Sequence, residues 1–169
     1  MAKKIINIKP MTENSLLPTK ENGNWWDCYT NEIELVKANE LLGLNENVFE
    51  HRKEVITSGV VVYGQGDVLI IHLGFATDLG RGYEGHIIPR SSTFIKKGLQ
   101  LTNSMGLIDS NYNGDNDEWL AVFIATRPGT IRTGDRLVQF TIVKTTDFDL
   151  KVVDSLGNTD RGGYGTTGQ

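Results

Sequence analysis

Short apolar runs recur along the whole chain, many of them alternating with polar residues, and turn residues separate them. Alternation with a period of two is typical of strands that have one face in a core. The pattern predicts about ten strands. They lie around Ile6 and Ile8 and over residues 32–36, 60–63, 68–73, 83–89, 99–104, 107–110, 119–127, 136–145 and 150–156. The 19 glycines, many of them between these runs, are consistent with frequent turns.

The stretch "GQGD" separates two of these runs, residues 60–63 and 68–73. A short glycine-containing turn between alternating runs is a typical hairpin signal, so we predict that these two strands pair with each other. Helical character is weak and confined to "NELLGLNENVFEHRKEV", where Gly43 interrupts the apolar positions. The sequence therefore predicts an all-β domain, which is a sandwich, a jelly roll or a small barrel.

Composition narrows the range of partners. The 17 basic and 21 acidic residues give a net charge of -4, which argues against a non-specific nucleic-acid binder but not against a pocket for one small anion. Cys28 has no second cysteine to pair with, and a lone cysteine is more often an inert small hydrophobe than a nucleophile. Neither a signal peptide nor a membrane helix of ~20 apolar residues is evident, so we expect a cytoplasmic protein that does not bind membranes.

Five polar clusters follow one another along the chain: "WWDCY", "PRSS", "GLIDSNYNGD", "GDRLVQF" and "DRGGYGTTG". Taken singly, each has an ordinary structural explanation as a turn, an outward arginine or a disordered tail. Together they supply three arginines, four hydroxyls, close-set glycines and two carboxylates, namely Arg90, Arg136, Arg161, Ser91, Ser92, Thr166, Thr167, Gly162, Gly163, Gly165, Asp27 and Asp109. This set suits a nucleoside triphosphate with Mg²⁺, although the chain has no Walker loop.

The third cluster places a carboxylate directly after apolar residues. Asp109 follows Leu107 and Ile108, so we expect it to be partly withdrawn from water, which costs free energy unless the carboxylate is hydrogen-bonded. Either a turn or a chemical role accounts for an aspartate at this position.

In their order and wording, the five clusters resemble the motifs of the trimeric dUTPases, especially the short forms carried by bacteriophages. The resemblance covers about residues 25–36 and 73–168. It implies a distorted jelly roll or β-barrel over residues 1–156, followed by a flexible glycine-rich arm, residues 157–169, that closes on the active site. It also implies that dUTP is hydrolysed to dUMP and pyrophosphate, which keeps uracil out of DNA and supplies dUMP for thymidylate synthesis.

The resemblance also implies a role for individual residues. Asp109 would be the general base that activates water for attack on the α-phosphorus, and Mg²⁺ would bind the phosphates with Asp27 contacting it through water. Tyr112 would exclude a 2′-hydroxyl, and Asn103 and Gly106 would contact uracil. The phosphates would be bound by Arg90, Ser91, Ser92 and Gln139 and, from the C-terminal arm, by Arg161, Gly163, Thr166 and Thr167, whereas Tyr164 of the arm would stack on uracil. Arg136 would serve either the phosphates or the structure.

The chain departs from the family pattern at both ends of the motif series. Trp25 and Trp26 stand where small residues are usual, which makes the role of Asp27 less firm than that of Asp109. The arm is two residues shorter and has Tyr164 in place of the phenylalanine that stacks on uracil. Trp119 is the alternative aromatic cover for the base.

Residues 39–66 have no counterpart in the minimal family pattern. They form either a surface extension of the sheet or a docking element for a repressor protein.

Two further alternatives for the function remain at this point. One is a dCTP deaminase of the same fold, which the intact "GLIDSNYNGD" and the glycine-rich arm oppose. The other is a regulatory binding protein that has lost catalysis, although every proposed catalytic group is present.

Overall fold

Strands dominate the computed structural model, which describes residues 3–40, 47–51, 55–160 and 162. The described residues form thirteen strands, one α-helix and two short 3₁₀ helices. The strands are β1 (Asn7–Pro10), β2 (Trp26–Tyr29), β3 (Glu32–Val36), β4 (Val55–Ile56), β5 (Val60–Tyr63), β6 (Val68–His72), β7 (Phe75–Asp78), β8 (Tyr83–Pro89), β9 (Leu99–Leu101), β10 (Gly106–Ile108), β11 (Leu120–Ala125), β12 (Gly129–Arg132) and β13 (Arg136–Lys144). The helices are α1 (Ser91–Lys97) and the 3₁₀ helices Ala38–Glu40 and Val48–His51.

The strands pair antiparallel in four sheets. A five-stranded sheet has the order β4-β3-β6-β11-β9, and a four-stranded sheet has the order β10-β8-β13-β2. Two two-stranded sheets, β1-β7 and β12-β5, complete the fold. Apolar side chains of all four sheets meet in one core, which includes Leu69 and Phe123 of the five-stranded sheet, Ile87 and Val138 of the four-stranded sheet, and Phe75 of β7. The predicted all-β jelly-roll-like class is confirmed.

The strands lie where the apolar pattern predicts them when one face of the strand is buried and the other is exposed. In β5, Val61 and Tyr63 are buried whereas Val60 and Val62 are exposed, as the period of two requires. The predicted strands over residues 32–36 and 83–89 match β3 and β8. Residues 68–71 of the central strand β6 are all buried, so neither face of the five-stranded sheet is exposed at this strand.

The predicted hairpin is wrong, because β5 pairs with β12 and β6 pairs with β3 and β11. The polar groups of the connecting turn explain the difference. Asp67 accepts hydrogen bonds from Gly64 N and Ala38 N at 2.8 and 3.0 Å and forms an ion pair with Lys37 at 2.8 Å. Gly66 N donates to the carbonyl of Ala125. These bonds direct the two strands into different sheets.

The helical content also differs from the prediction. Directly after "PR", α1 forms where a turn was expected, and it ends at Gly98, whose φ of 67° suits a left-handed helix cap. Residues 41–46 and 52–54 of the predicted helix lie outside the described residues. Residues 150–156 form no strand within the described chain. No helix among the described residues is both long and apolar enough to cross a membrane.

A histidine between two glutamates links the central strand β6 of the five-stranded sheet to β3 and to the residues just before β11. His72 Nε2 lies 2.7 Å from Glu34 Oε1, and His72 Nδ1 lies 2.7 Å from Glu118 Oε2. The second oxygen of Glu118 accepts a hydrogen bond from Gly74 N at 2.9 Å. Burial lowers the pKa of His72, but the bonds to Glu118 and Glu34 outweigh it and raise the pKa above its ordinary value.

Cys28 lies in the core between these sheets. Its burial raises the pKa of the thiol far above the ordinary value, and the charge of Asp27 acts in the same direction. A thiol that stays protonated is a poor nucleophile, so the interpretation of Cys28 as a small hydrophobe agrees with its environment.

Replacing Gly85 by alanine tests the packing of the core. A Cβ at this position in β8 would lie 2.5 Å from Cη2 of Trp119, whose ring is buried and cannot shift without strain. We expect Gly85→Ala to lower the free energy of unfolding by ~1–3 kcal/mol, as overpacking does. Gly64→Ala is the control in urea denaturation, because its Cβ would meet only Asp67 Oδ2 at 3.7 Å. Equal stability of the two variants would contradict this packing.

The His72 cluster predicts a dependence of stability on pH. Because the folded-state pKa of His72 is raised, its stabilising effect is fully present below the unfolded value of about 6.5 and is lost as the pH rises through the folded value. We expect His72→Gln to lower the free energy of unfolding and to remove this loss. Urea titrations of both proteins from pH 5.5 to 9 measure it. A decline of equal size in the variant would show that another group is responsible.

Candidate active site

The four-stranded sheet brings several motif residues to one end. Its strand order places β13 between β8 and β2. Gln139 of β13 lies opposite Asp27 of β2 on one side and opposite Ile88 of β8 on the other. Since Arg90 comes two residues after Ile88, the register brings the first, second and fourth motifs together.

Asp27 forms ion pairs with two arginines. Its Oδ1 lies 2.9 Å from Arg90 Nε, and its Oδ2 lies 3.1 Å from Arg136 Nη1. Only 17% of the Asp27 side chain is exposed, so these charge-assisted bonds are shielded from water and fix both guanidinium groups. Arg136, for which sequence allowed either a phosphate or a structural role, therefore has a structural contact here.

Two cavities flank this ion-pair group. One, of about 270 Å³, is lined by the loop of residues 21–25 together with Asp27, Arg90 and Gln139. The other, of about 250 Å³, lies on the α1 side, where Arg90, Ser92, Lys96 and Arg136 are among its lining residues. Both cavities are polar and share Arg90, so the geometry is suited to an extended anion that contacts several donors.

The second motif forms the entrance to α1. Arg90 N donates to Leu137 O, and Thr93 N donates to Arg90 O, which fixes the first turn. The Thr93 hydroxyl also donates to Leu137 O at 2.6 Å. Ser91 and Ser92 thus occupy the first helical positions, where backbone N–H groups lack partners within a helix.

The third motif follows β10. Asp109 Oδ1 accepts a hydrogen bond from Asn111 N at 2.8 Å, and the Asp109 carbonyl accepts one from Tyr112 N at 3.0 Å, which together form a turn. The expectation that apolar neighbours withdraw this carboxylate from water is wrong for the single chain. Asp109 is exposed, and its neighbour Leu107 is 61% exposed.

The surroundings of the turn are held by specific contacts. Tyr112 is partly exposed, and its hydroxyl donates to Glu118 O at 3.0 Å, which fixes the ring. Gly106 packs against Ile87, since a Cβ at residue 106 would lie 3.2 Å from Ile87 Cβ. Asn103 is exposed in the connection between β9 and β10.

Asp109 and Arg90 lie at opposite ends of β8. Ile108, the residue before Asp109, pairs with Gly85. Arg90 comes five positions after Gly85, which is roughly 17 Å along an extended strand. Within one chain, the structure therefore does not bring the predicted base together with the predicted phosphate ligands.

The structure excludes Trp119 as the aromatic ring that would stack on uracil. Its side chain is fully buried and packs against Phe75 and Phe140, with ring centroids 5.2 and 5.1 Å away. Such a ring belongs to the core and cannot stack on a ligand. The remaining candidate, Tyr164, lies outside the described residues, as do four other predicted arm residues, Arg161, Gly163, Thr166 and Thr167.

The side chains near Asp27 limit how a metal ion could be bound. No group of three or more histidine, cysteine or acidic side chains among the described residues is placed to hold a metal ion. Both oxygens of Asp27 already accept bonds from arginines. A lone carboxylate that is paired in this way fits Mg²⁺ bound mainly by substrate phosphates and water, not an all-protein cage.

Glu21 makes a further contact at this site, although it belongs to none of the five motifs. Its Oε1 lies 3.2 Å from Arg136 Nη1, the same nitrogen that contacts Asp27. Glu21 stands in a loop six residues before Asp27 and outside every motif, so no sequence signal pointed to it.

Comparisons with known proteins match this chain to dUTPases. A family model described as dUTPase matches residues 57–168. A prophage-derived deoxyuridine 5′-triphosphate nucleotidohydrolase of Bacillus subtilis (strain 168) is 51% identical over 100 residues, covering 59% of this chain and 70% of the relative.

Solved structures show the same fold. A dUTPase of Staphylococcus bacteriophage 80alpha, determined with dUpNHpp, gives a TM-score of 0.66 at 17% identity and covers 99% of this chain and 100% of its own. A point mutant of the dUTPase of phage phi11 of S. aureus, described with a structural Mg(II) ion, gives a TM-score of 0.64 at 17% identity, covering 90% and 99%. The family match, which spans more than half of the sequence, shows that this chain belongs to the dUTPase family.

Proposed function

We propose that Asp109 is the general base with which this chain, a dUTP nucleotidohydrolase of the dUTPase family, activates water for attack on the α-phosphorus of dUTP. The products are dUMP and pyrophosphate. The observation that carries the proposal is the family match over residues 57–168, which includes Asp109 together with Arg90 and Gln139. The activity keeps uracil out of DNA and supplies dUMP for thymidylate synthesis.

The geometry of Asp109 suits a base. Asn111 N–H holds Oδ1, whereas Oδ2 accepts no hydrogen bond from the described residues and is available to a water molecule. The turn fixes the direction of the carboxylate without consuming both oxygens. A base held within hydrogen-bond distance of its water contributes typically ~10²–10⁴-fold to the rate.

The triphosphate is proposed to bind beside Asp27. Arg90 supplies charge, Gln139 supplies an amide donor, and Ser91 and Ser92 supply hydroxyl and backbone donors at the start of α1. The two polar cavities that share Arg90 give an anion of this length room to contact all four. Charge neutralisation by fixed donors is the main contribution that a protein makes to phosphoryl chemistry.

The nucleoside is proposed to bind at the third motif. The Tyr112 ring, fixed through its hydroxyl, would lie under the deoxyribose and leave no room for a 2′-hydroxyl. The backbone around Asn103 and Gly106 would contact the uracil edge, since these residues form the turn and the first position of β10. Discrimination against UTP then rests on sterics at Tyr112, not on a missing hydrogen bond.

Mg²⁺ is the proposed cofactor. When bound, it neutralises the phosphate charge, and Asp27 contacts it through water because both carboxylate oxygens are held by Arg90 and Arg136. A structural Mg(II) ion is described for the related phage phi11 protein. In this chain, Asp27 also keeps the two guanidinium groups in place, whether or not the ion is present.

A homotrimer with sites between subunits is the proposed assembly. Because Asp109 and Arg90 lie at opposite ends of β8, a complete site needs the Asp109 of one chain and the Arg90 of another. In each chain, Phe148, Leu150 and Val152 alternate and are 73, 90 and 96% exposed, as in a strand without its sheet. An apolar groove of about 450 Å³ is a matching surface for this segment and is lined in part by Ile6, Ile8, Leu17, Trp26, Phe140 and Ile142.

The C-terminal arm is proposed to complete the site from a neighbouring chain. Arg161, Gly163, Thr166 and Thr167 would close over the β- and γ-phosphates, and Tyr164 would stack on uracil.

A repressor protein bound through residues 39–66 remains a prediction. Residues 57–66 of that segment fall within the family match, so the part without a family counterpart is shorter than the sequence suggested.

Replacing Asp109 by asparagine tests the proposed base. Asparagine keeps the shape and can still accept the Asn111 bond but cannot take up a proton at neutral pH. We expect Asp109→Asn to lower pyrophosphate release from dUTP with Mg²⁺ by at least ~10²-fold, with the affinity for dUpNHpp largely kept. Asp115→Asn, an exposed change in the same loop, is the control. Unchanged turnover in Asp109→Asn would refute the assignment.

The same assay separates the alternative activity. With the unmodified protein, we expect pyrophosphate from dUTP, little from UTP, dTTP or dCTP, and no ammonia from dCTP. Ammonia from dCTP without pyrophosphate from dUTP would identify a deaminase instead.

A further inference from the structure

The loop of residues 21–25 closes one side of the phosphate cavity. It runs from a bridge between Thr19 and Asp27, where each N–H donates to the other carbonyl, at 3.0 and 2.8 Å. Gly23, with φ at 93°, turns the loop, and the Thr141 hydroxyl donates to Asn24 O at 3.4 Å. All five loop residues line the cavity that also contains Asp27, Arg90 and Gln139.

Two carboxylates accept bonds from one guanidinium nitrogen in this region. Arg136 Nη1 lies 3.1 Å from Asp27 Oδ2 and 3.2 Å from Glu21 Oε1. The two carboxylates differ in how firmly they are held. Asp27 is 17% exposed and also binds Arg90, whereas Glu21 is 74% exposed and forms no ion pair with any other described residue. Such an exposed pair is weak, so Glu21 can leave at little cost while Asp27 stays.

The Glu21 carboxylate resembles a phosphate oxygen in charge and in its bond to a guanidinium nitrogen. It stands at the wall of the cavity in which we place the triphosphate, where its negative charge opposes the entry of another anion. An incoming anion must therefore displace Glu21 or tolerate its repulsion. A triphosphate with Mg²⁺ makes enough contacts to do so, whereas a smaller anion such as pyrophosphate makes fewer.

We propose that Glu21 is a displaceable counter-ion of Arg136 that weakens anion binding in the phosphate cavity. It occupies Arg136 Nη1 in the free protein and swings away with its loop when the triphosphate binds, which frees that N–H. Glu21 is thus a positioning residue that acts through Arg136 and favours release of the pyrophosphate product. This inference rests on the proposed function, because it assumes that the cavity holds the phosphates of dUTP.

Charge removal at Glu21 tests the inference. In steady-state hydrolysis with Mg²⁺, we expect Glu21→Gln to lower KM for dUTP and the inhibition constant of pyrophosphate by roughly two- to fivefold, the range for an exposed ion pair. We expect kcat to change less than twofold, because no group near the reacting atoms is altered. Glu13→Gln is the matched control, since Glu13 is exposed and forms no ion pair with the described residues.

Isothermal titration with dUpNHpp gives a second measurement that does not depend on turnover, and it should show the same tightening in Glu21→Gln only. Equal KM, inhibition and affinity in both variants and the unmodified protein would overturn the role of Glu21, as would weaker binding in Glu21→Gln. If the unmodified protein does not hydrolyse dUTP at all, the proposed function fails, which is a distinguishable result.

Discussion

The ion pairs of Asp27 with Arg90 and Arg136 hold together the region in which we propose that the phosphates bind. They connect β2 to the end of β8 and to the start of β13, and they keep two guanidinium groups in fixed positions beside the polar cavities. Two cations this close would repel each other without the shared carboxylate. Asp27 is therefore a structural residue, whatever its proposed contact with Mg²⁺, and the exposed Glu21 adds a second, weaker carboxylate to the same group.

The geometry of β8 sets the second constraint. A strand is rigid and extended, so residues at its two ends cannot approach each other. Asp109 lies beside one end and Arg90 follows the other. Asp109, Leu107 and the apolar segment of residues 148–152 are exposed in the single chain. Such exposure is unusual for a monomeric enzyme but is expected of a subunit whose partners cover those surfaces. The proposed homotrimer would account for these exposed surfaces.

Sequence predicted those parts of the fold in which one face is clearly buried, such as β3 and β8. The prediction failed where hydrogen bonds between residues far apart in sequence determine which strands pair. Asp67 accepts bonds from Ala38 and Lys37, and β5 and β6 lie in separate sheets. The motif order predicted Asp109, Arg90 and Gln139 as site residues, and these roles stay predictions, but it did not predict the ion pair that holds Arg90. From its sequence position beside the third motif, the burial of Trp119 could not be predicted. In the structure, its ring packs against Phe75 and Phe140 in the core.

Complementation between two inactive variants tests most directly whether the site is shared between chains. Arg90→Gln and Asp109→Asn are each expected to be inactive alone. When the two are coexpressed, random assembly gives about a quarter of the sites both an intact Arg90 and an intact Asp109 from different chains. The mixture is therefore predicted to recover roughly a quarter of the unmodified dUTP hydrolysis. A mixture no more active than either variant alone would contradict a site formed between subunits.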